Sequence, residues 1–337
     1  MRIKQVIGLV ILFIGPFSIP SSGQVVATWI DSSGNWSNSA NWSTLTVPNN
    51  GGGKTYDVVI NGTGTDKVTF DASSTTINSL TLGLGETFQS TGTSPTLTAG
   101  GITNTGGTIN WGNGSLTIGG LSNNVGGVAN IHNTRVTMGS YDSDLGGQLQ
   151  LTRCTGRIGE VTGGMDNSLI ISGSNLTVGN VFFNEMASTV SITSSTVILG
   201  GVSTPGDQSS VFIGGSSVIS SGGFEALFAS NVIIDNSSVI VGGLANETFN
   251  SLMSIENSAV TVNGDVANNG LFGASGSLTV SGDFSNGSSD GNPGLAGIDG
   301  PFIVKGTLNN MDGARLFIDG PSNIHAVQND GIMTAGG

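Results

Sequence analysis

GSLTIGG (114–120), TRVTMGS (134–140), CTGRIGE (154–160), SNLTVGN (174–180), STVILGG (195–201), SSVISSG (216–222), SSVIVGG (237–243), SAVTVNG (258–264) and GSLTVSG (276–282) are one short pattern written repeatedly. The column that holds the first glycine falls at 119, 139, 159, 179, 200, 221, 242, 263 and 281, giving steps of 20, 20, 20, 21, 21, 21, 21 and 18 residues. A fixed period near 20 marks stacked supersecondary units, none of which can bury its apolar face alone.

Each unit carries two short apolar runs. The first is seen at Val128–Ile131, Leu149–Leu151, Leu169–Ile171, Val190–Ile192, Val211–Ile213, Val232–Ile234 and Leu252–Ile255, and the second is the quoted block. Alternation rich in Val, Ile, Leu and Thr predicts strands with one buried face. Between the runs lie HNT, SGS, TSS, GGS, DNS and ENS, which are turn compositions. No long segment of helical period occurs. Two or three strands in 20–21 residues without a helix is one coil of a parallel β-helix, an all-β solenoid with strands about 4.8 Å apart.

The columns then become ladders. One core ladder is Leu116, Val136, Leu176, Val197, Val218, Val239, Val260 and Leu278; a second runs Ile118, Met138, Ile158, Val178, Leu199, Val241, Val262 and Val280, broken by Ser220. Thr134, Cys154, Ser174, Ser195, Ser216, Ser237 and Ser258 form a small polar column at the corner before the second strand. Hydroxyls stacked there can satisfy turn backbone. Cys154 is the single cysteine, so no internal disulfide is available and the fold depends on stacking. Its place in this column reads as a small corner residue.

At the other end of the argument, Arg2 and Lys4 precede an apolar run from Val6 to Phe17, with Pro20 and Ser21-Ser22-Gly23 following. This predicts a secretory leader over 1–23, cleaved before Gln24. The run is too short for a good membrane span. Net charge is −13; removal of Arg2 and Lys4 leaves seven basic against 22 acidic residues, or −15. Nucleic acid is thereby a poor partner, since phosphate neutralisation needs clustered Lys and Arg. With 36% apolar residues placed in ladders, the 56 glycines and 9% charged residues do not imply disorder.

Residues 24–56 differ from all that follows and hold three of the four tryptophans: Trp29, Trp36 in Gly34-Asn35-Trp36-Ser37, and Trp42 in Asn41-Trp42-Ser43. An open first coil would expose core and unpaired strand edge. The segment therefore reads as a Trp-rich N-terminal cap, the rival being an aromatic carbohydrate platform. The spacing W-x6-W-x5-W, then Val47-Pro48-Asn49 and Asp57-Val58-Val59-Ile60, resembles the opening of bacterial exported proteins with autotransporter-associated β-strand repeats, the planctomycete and PEP-CTERM-type surface proteins. Later Gly/Asn-rich units, such as Gly306-Thr307-Leu308-Asn309-Asn310, resemble the same proteins and filamentous adhesins. The resemblance implies a right-handed parallel β-helix displayed or secreted outside the cell, and carries no catalytic signature.

The rest of the chain is read as solenoid over 57–337: less regular coils to 113, regular coils over 114–285, a loop insertion over 287–300, and looser coils over 301–337. The chain stops at Ala335-Gly336-Gly337 in what reads as mid-repeat, which suggests either a longer natural chain or end-to-end stacking of copies.

β-Helices include many polysaccharide lyases and hydrolases, whose sites need clustered carboxylates on neighbouring coils. Asp142 and Asp144 with Arg157, and Asp290 with Asp299, are the nearest clusters. Asp265 and Asp283 share a column, and such a pair on adjacent coils invites a cation such as Ca2+. His132 and His325 are far apart in sequence. No residue set amounts to a catalytic assignment. Outward Thr117, Thr137, Thr177, Thr261 and Thr279 offer a polar face interrupted by Arg157, Ile198, Ile219 and Ile240. The leading expectation is a secreted, non-catalytic structural or adhesive solenoid, with itself or surface polysaccharide as partner. The alternative is a carbohydrate-active or carbohydrate-binding β-helix.

Overall fold

A computed structural model describes residues 23–62, 64–183, 187–204, 208–226, 230–248, 250–287 and 293–336. Apart from Gly23, the expected leader lies outside the described residues, as does Asp290. Each coil contributes three strand segments. The first face takes one strand per coil, from Ser33–Asn35 through Val128–His132 to Ile332–Ala335, and stacks them as a 15-stranded parallel sheet in chain order. The second and third faces form one larger sheet, because in several coils a single strand runs across both: Ser74–Leu82, Thr96–Thr105, Arg135–Leu145, Thr155–Met165, Asn175–Phe183, Thr196–Thr204, Phe302–Asn310 and Ser322–Asn329. Elsewhere the two segments separate, as in Ser238–Val241 and Gly243–Asn246.

Leu116 pairs with Val136, Leu176 with Val197, Val197 with Val218, Val218 with Val239, Val239 with Val260 and Val260 with Leu278. All are buried. Gly156 takes the same position between Val136 and Leu176. The third face supplies a further ladder, Leu121, Tyr141, Val161, Val181, Val202, Phe224, Leu244, Val266, Phe284 and Leu308, all buried. Three inward-facing strands per coil thus enclose one continuous core, which is how a chain with so little charge and so much glycine gains enough apolar burial.

The corner between first and second faces is built by repetition. Asn113, Asn133, Arg153, Gly173, Ser194, Gly215, Asn236 and Asn257 all have φ between 47° and 62°. Gly and Asn enter this left-handed region with least strain, which accounts for the NT, GS and NS turn sequences. The next residue turns inward. Ser174 Oγ donates to Ser172 O (2.9 Å) and accepts Cys154 N (3.0 Å); Ser195, Ser216, Ser237 and Ser258 repeat the second contact, each accepting the amide of the preceding column member at 3.0–3.2 Å. This hydroxyl column satisfies corner backbone buried between the sheets.

Three boundaries differ from the sequence reading. Gly23–Thr28 pairs in parallel with Lys54–Ile60, and Ser33–Asn35 with Lys67–Phe70, so the Trp-rich segment contains the first coil itself. The division at 56/57 falls inside a strand. The expected insertion over 287–300 also includes a core strand, Leu295–Ile298, whose Ala296 and Ile298 are buried and pair with Phe272 and Ala274. Its Gly-rich spacing hid a period-2 pattern, since Gly297 points outward. Finally, Phe302–Asn310 is as well paired as earlier strands, with one register shift between Val304 and Thr307, so the coil after 301 is not loose.

Candidate functional site

Trp29, Trp36 and Trp42 are at most 3% exposed and show no ring face to solvent. Trp42 meets Trp29 and Trp36 edge-on at centroid distances of 5.0 and 4.7 Å, and its Nε1 donates to Trp36 O at 2.8 Å. Trp36 in turn packs on Phe70 and Phe88, and Phe70 on Trp111, giving an aromatic column through the first coils. Buried rings cannot stack on a sugar, so these three do not form a carbohydrate platform.

Asp265 and Asp283 do lie on adjacent coils, but their carboxylates are engaged along the stack. Asp283 N donates to Asp265 Oδ1 (2.8 Å), and Thr307 N to Asp283 Oδ1 (2.7 Å). Asp142 accepts the Thr162 hydroxyl at 2.7 Å. Asp57 is bound from both neighbouring coils: Ser79 and Asn78 donate to one oxygen and Gln24 to the other. The Ser79 hydroxyl, then the two amides, hold its carboxyl below the ordinary range. Among the described residues no group of three or more His, Cys, Asp or Glu side chains gathers as a metal site would require. Cys154 is buried, with Sγ 3.3 Å from Ile131 O, and burial raises its thiol pKa.

Two features were not legible in the motifs. Glu86, fully buried, accepts the backbone amides of Gly62, Gly64 and Asp66 at 2.7–3.0 Å, tying that backbone to the next coil. On the third face, Asn246, Asn268, Asn286, Asn310 and Asn329 form an amide ladder in which each side-chain NH2 donates to the next Oδ1 at 2.7–2.9 Å.

Concave surface follows the bend between second and third faces. At Gly119, Gly139, Gly159 and Gly179 a Cβ would lie 1.7–2.1 Å from the carbonyl oxygen of the glycine one coil earlier, so close coil packing demands glycine there. The position after it carries Ser79, Ser140, Glu160, Asn180 and Asp265 in other coils, yet is glycine at 101, 120, 201, 223 and 243. A Cβ at Gly201, Gly223 or Gly243 would meet its nearest neighbour at 3.3–3.5 Å, and none of the three has positive φ. A Cβ at Gly201 or Gly243 would make ordinary contact, and one at Gly223 would press on the Gly243 carbonyl. Beside these glycines lie three hollows: one of about 420 Å³ at Gly101 and Gly120, and two adjoining ones of about 180 and 260 Å³ that share Gly223 and Glu225 and make a second trough.

The second trough is walled by one outward column, Phe182, Ser203, Glu225 and Ala245, in register on successive coils. Ser203 Oγ donates to Glu225 Oε2 at 3.0 Å. Asn180 stands at one end and Asp265 at the other. On the neighbouring second face the outward residues over the same coils are Ile198, Ile219 and Ile240, exposed by 49%, 47% and 38%.

No protein-family model, curated protein or solved structure matches this chain. Among the described residues no helix is long and apolar enough to cross a membrane.

Proposed function

We propose that this chain is an exported, non-catalytic solenoid that serves as a rigid rod at the bacterial cell surface or in the extracellular matrix, as a stalk, passenger or fibre subunit. The observation that carries the reading is the 15-stranded first face, whose strands stack in chain order without a break. At about 4.8 Å per coil such a stack extends on the order of 65–70 Å. Support for export comes from the sequence of residues 1–23 and from the resemblance to autotransporter-associated repeat proteins. In this reading the partners are further copies of the chain or surface polysaccharide.

Negative-stain electron microscopy of residues 24–337 tests it. Stiff rods of that length, alone or joined end to end, are expected. Compact particles or flexible threads would overturn the rod reading, and retention of the unprocessed chain inside the producing cell would overturn export.

A further inference from the structure

We propose that the trough along Gly201, Gly223 and Gly243 is a binding site for a neutral polysaccharide lying parallel to the rod axis. This deepens the adhesive side of the proposed function and rests on the rod reading. Coil packing leaves room for a side chain at Gly201 and Gly243 and only little at Gly223, whereas it leaves none at the preceding glycine of the same bend in the coils described above. The floor is open because side chains are absent, and chemically distinct groups converge on it.

Phe182 is half-buried and offers an aromatic surface to the apolar face of a pyranose ring. Asn180 presents an amide with both donor and acceptor character, Ser203 a hydroxyl, and Glu225 and Asp265 carboxylate acceptors. Sugar hydroxyls pair with all of these. Because the trough borders two carboxylates and includes no Lys or Arg, a uronic acid polymer would be repelled, which selects neutral chains. The site repeats with the coil spacing of about 4.8 Å, close to the rise of one hexose in an extended glycan, so successive sugars can meet equivalent backbone. Mostly apolar concave surface with a few placed polar groups is the usual make-up of a small-molecule site.

The test uses isothermal titration of the processed chain with cellotetraose, mannotetraose, maltotetraose and xylotetraose, with tetragalacturonate as the acidic comparison. At least one neutral tetrasaccharide should bind, and Phe182→Ala should weaken it about tenfold through loss of the aromatic contact. Gly201→Met, which fills the floor, should abolish binding, while Gly101→Met in the separate hollow should leave it unchanged. Far-UV circular dichroism and particle length by microscopy verify that each variant keeps its coils. Absence of binding by the wild-type chain overturns the inference, as does binding insensitive to both Phe182→Ala and Gly201→Met, or equal affinity for tetragalacturonate. Intact rods that bind no sugar sink this inference alone; loss of the rod sinks the reading beneath it.

Discussion

Ser220 shows what a single residue does in a ladder. It occupies the second-face core column between Leu199 and Val241, is 2% exposed, and its hydroxyl has no hydrogen-bond partner. A buried unpaired hydroxyl costs about 1–3 kcal/mol, and valine would add apolar contact of the kind its neighbours make. Ser220→Val should therefore raise stability by about 1–2 kcal/mol in urea melts; a destabilised variant would show that the column has no room for it. Asp57 belongs to the same scale. Its carboxyl pKa is lowered in the folded state by Ser79, Asn78 and Gln24, so its contribution to stability is fully present above the unfolded pKa of about 3.9. That contribution is lost as pH falls through the lower folded value. Asp57→Asn should thus melt below wild type at neutral pH, and the two curves should converge in acid; a gap unchanged with pH would refute the assignment.

At the level of the element, the buried asparagine ladder does for the third face what the serine column does for the first corner. Asn268 donates to Asn286 Oδ1, accepts from Asn246 and takes the Gly270 amide. Asn268→Leu strands buried partners on two neighbouring coils and should cost about 2–3 kcal/mol. Hydrogen exchange over 246–310 would localise the loss, and unchanged protection there would argue that water replaces the amide. Such elements divide into those the sequence discloses and those it does not. The second-face ladder from Leu116 to Leu278 is legible because every member is apolar and the step is nearly constant. The asparagines are harder to see: in a chain rich in Asn they stand at intervals of 22, 18, 24 and 19, and the same column holds Thr204 and Ala226 in the two coils before Asn246. Leu295–Ile298 was hidden for the opposite reason, since Gly and Ala supply its alternation with hardly any side chain. The trough combines both difficulties. Its glycines look like every other bend glycine until the coils are stacked, and Phe182, Ser203 and Glu225 come together only through register.

For the molecule as a whole, stability is distributed along one dimension. Each coil touches chiefly the coils before and after it, and no disulfide ties distant coils together. A substitution such as Asn268→Leu should consequently open its own neighbourhood before the aromatic column at Trp36, Phe70 and Trp111 responds, and tryptophan fluorescence should report a later transition than exchange at 246–310. Coincident transitions would mean that the stack melts as one cooperative unit.

The strands of every face run across the stack, so the hydrogen bonds between coils point along its length. Pulled by its two ends, such a chain meets the load one coil at a time, as a seam is unpicked stitch by stitch rather than torn in a single break. Each released coil of 20 or 21 residues lengthens the tether by roughly 70 Å, given about 3.3–3.6 Å per extended residue. A stalk made this way lengthens under tension at a steady force and stays attached while it does so; force spectroscopy showing one single rupture instead of a regular series would contradict it.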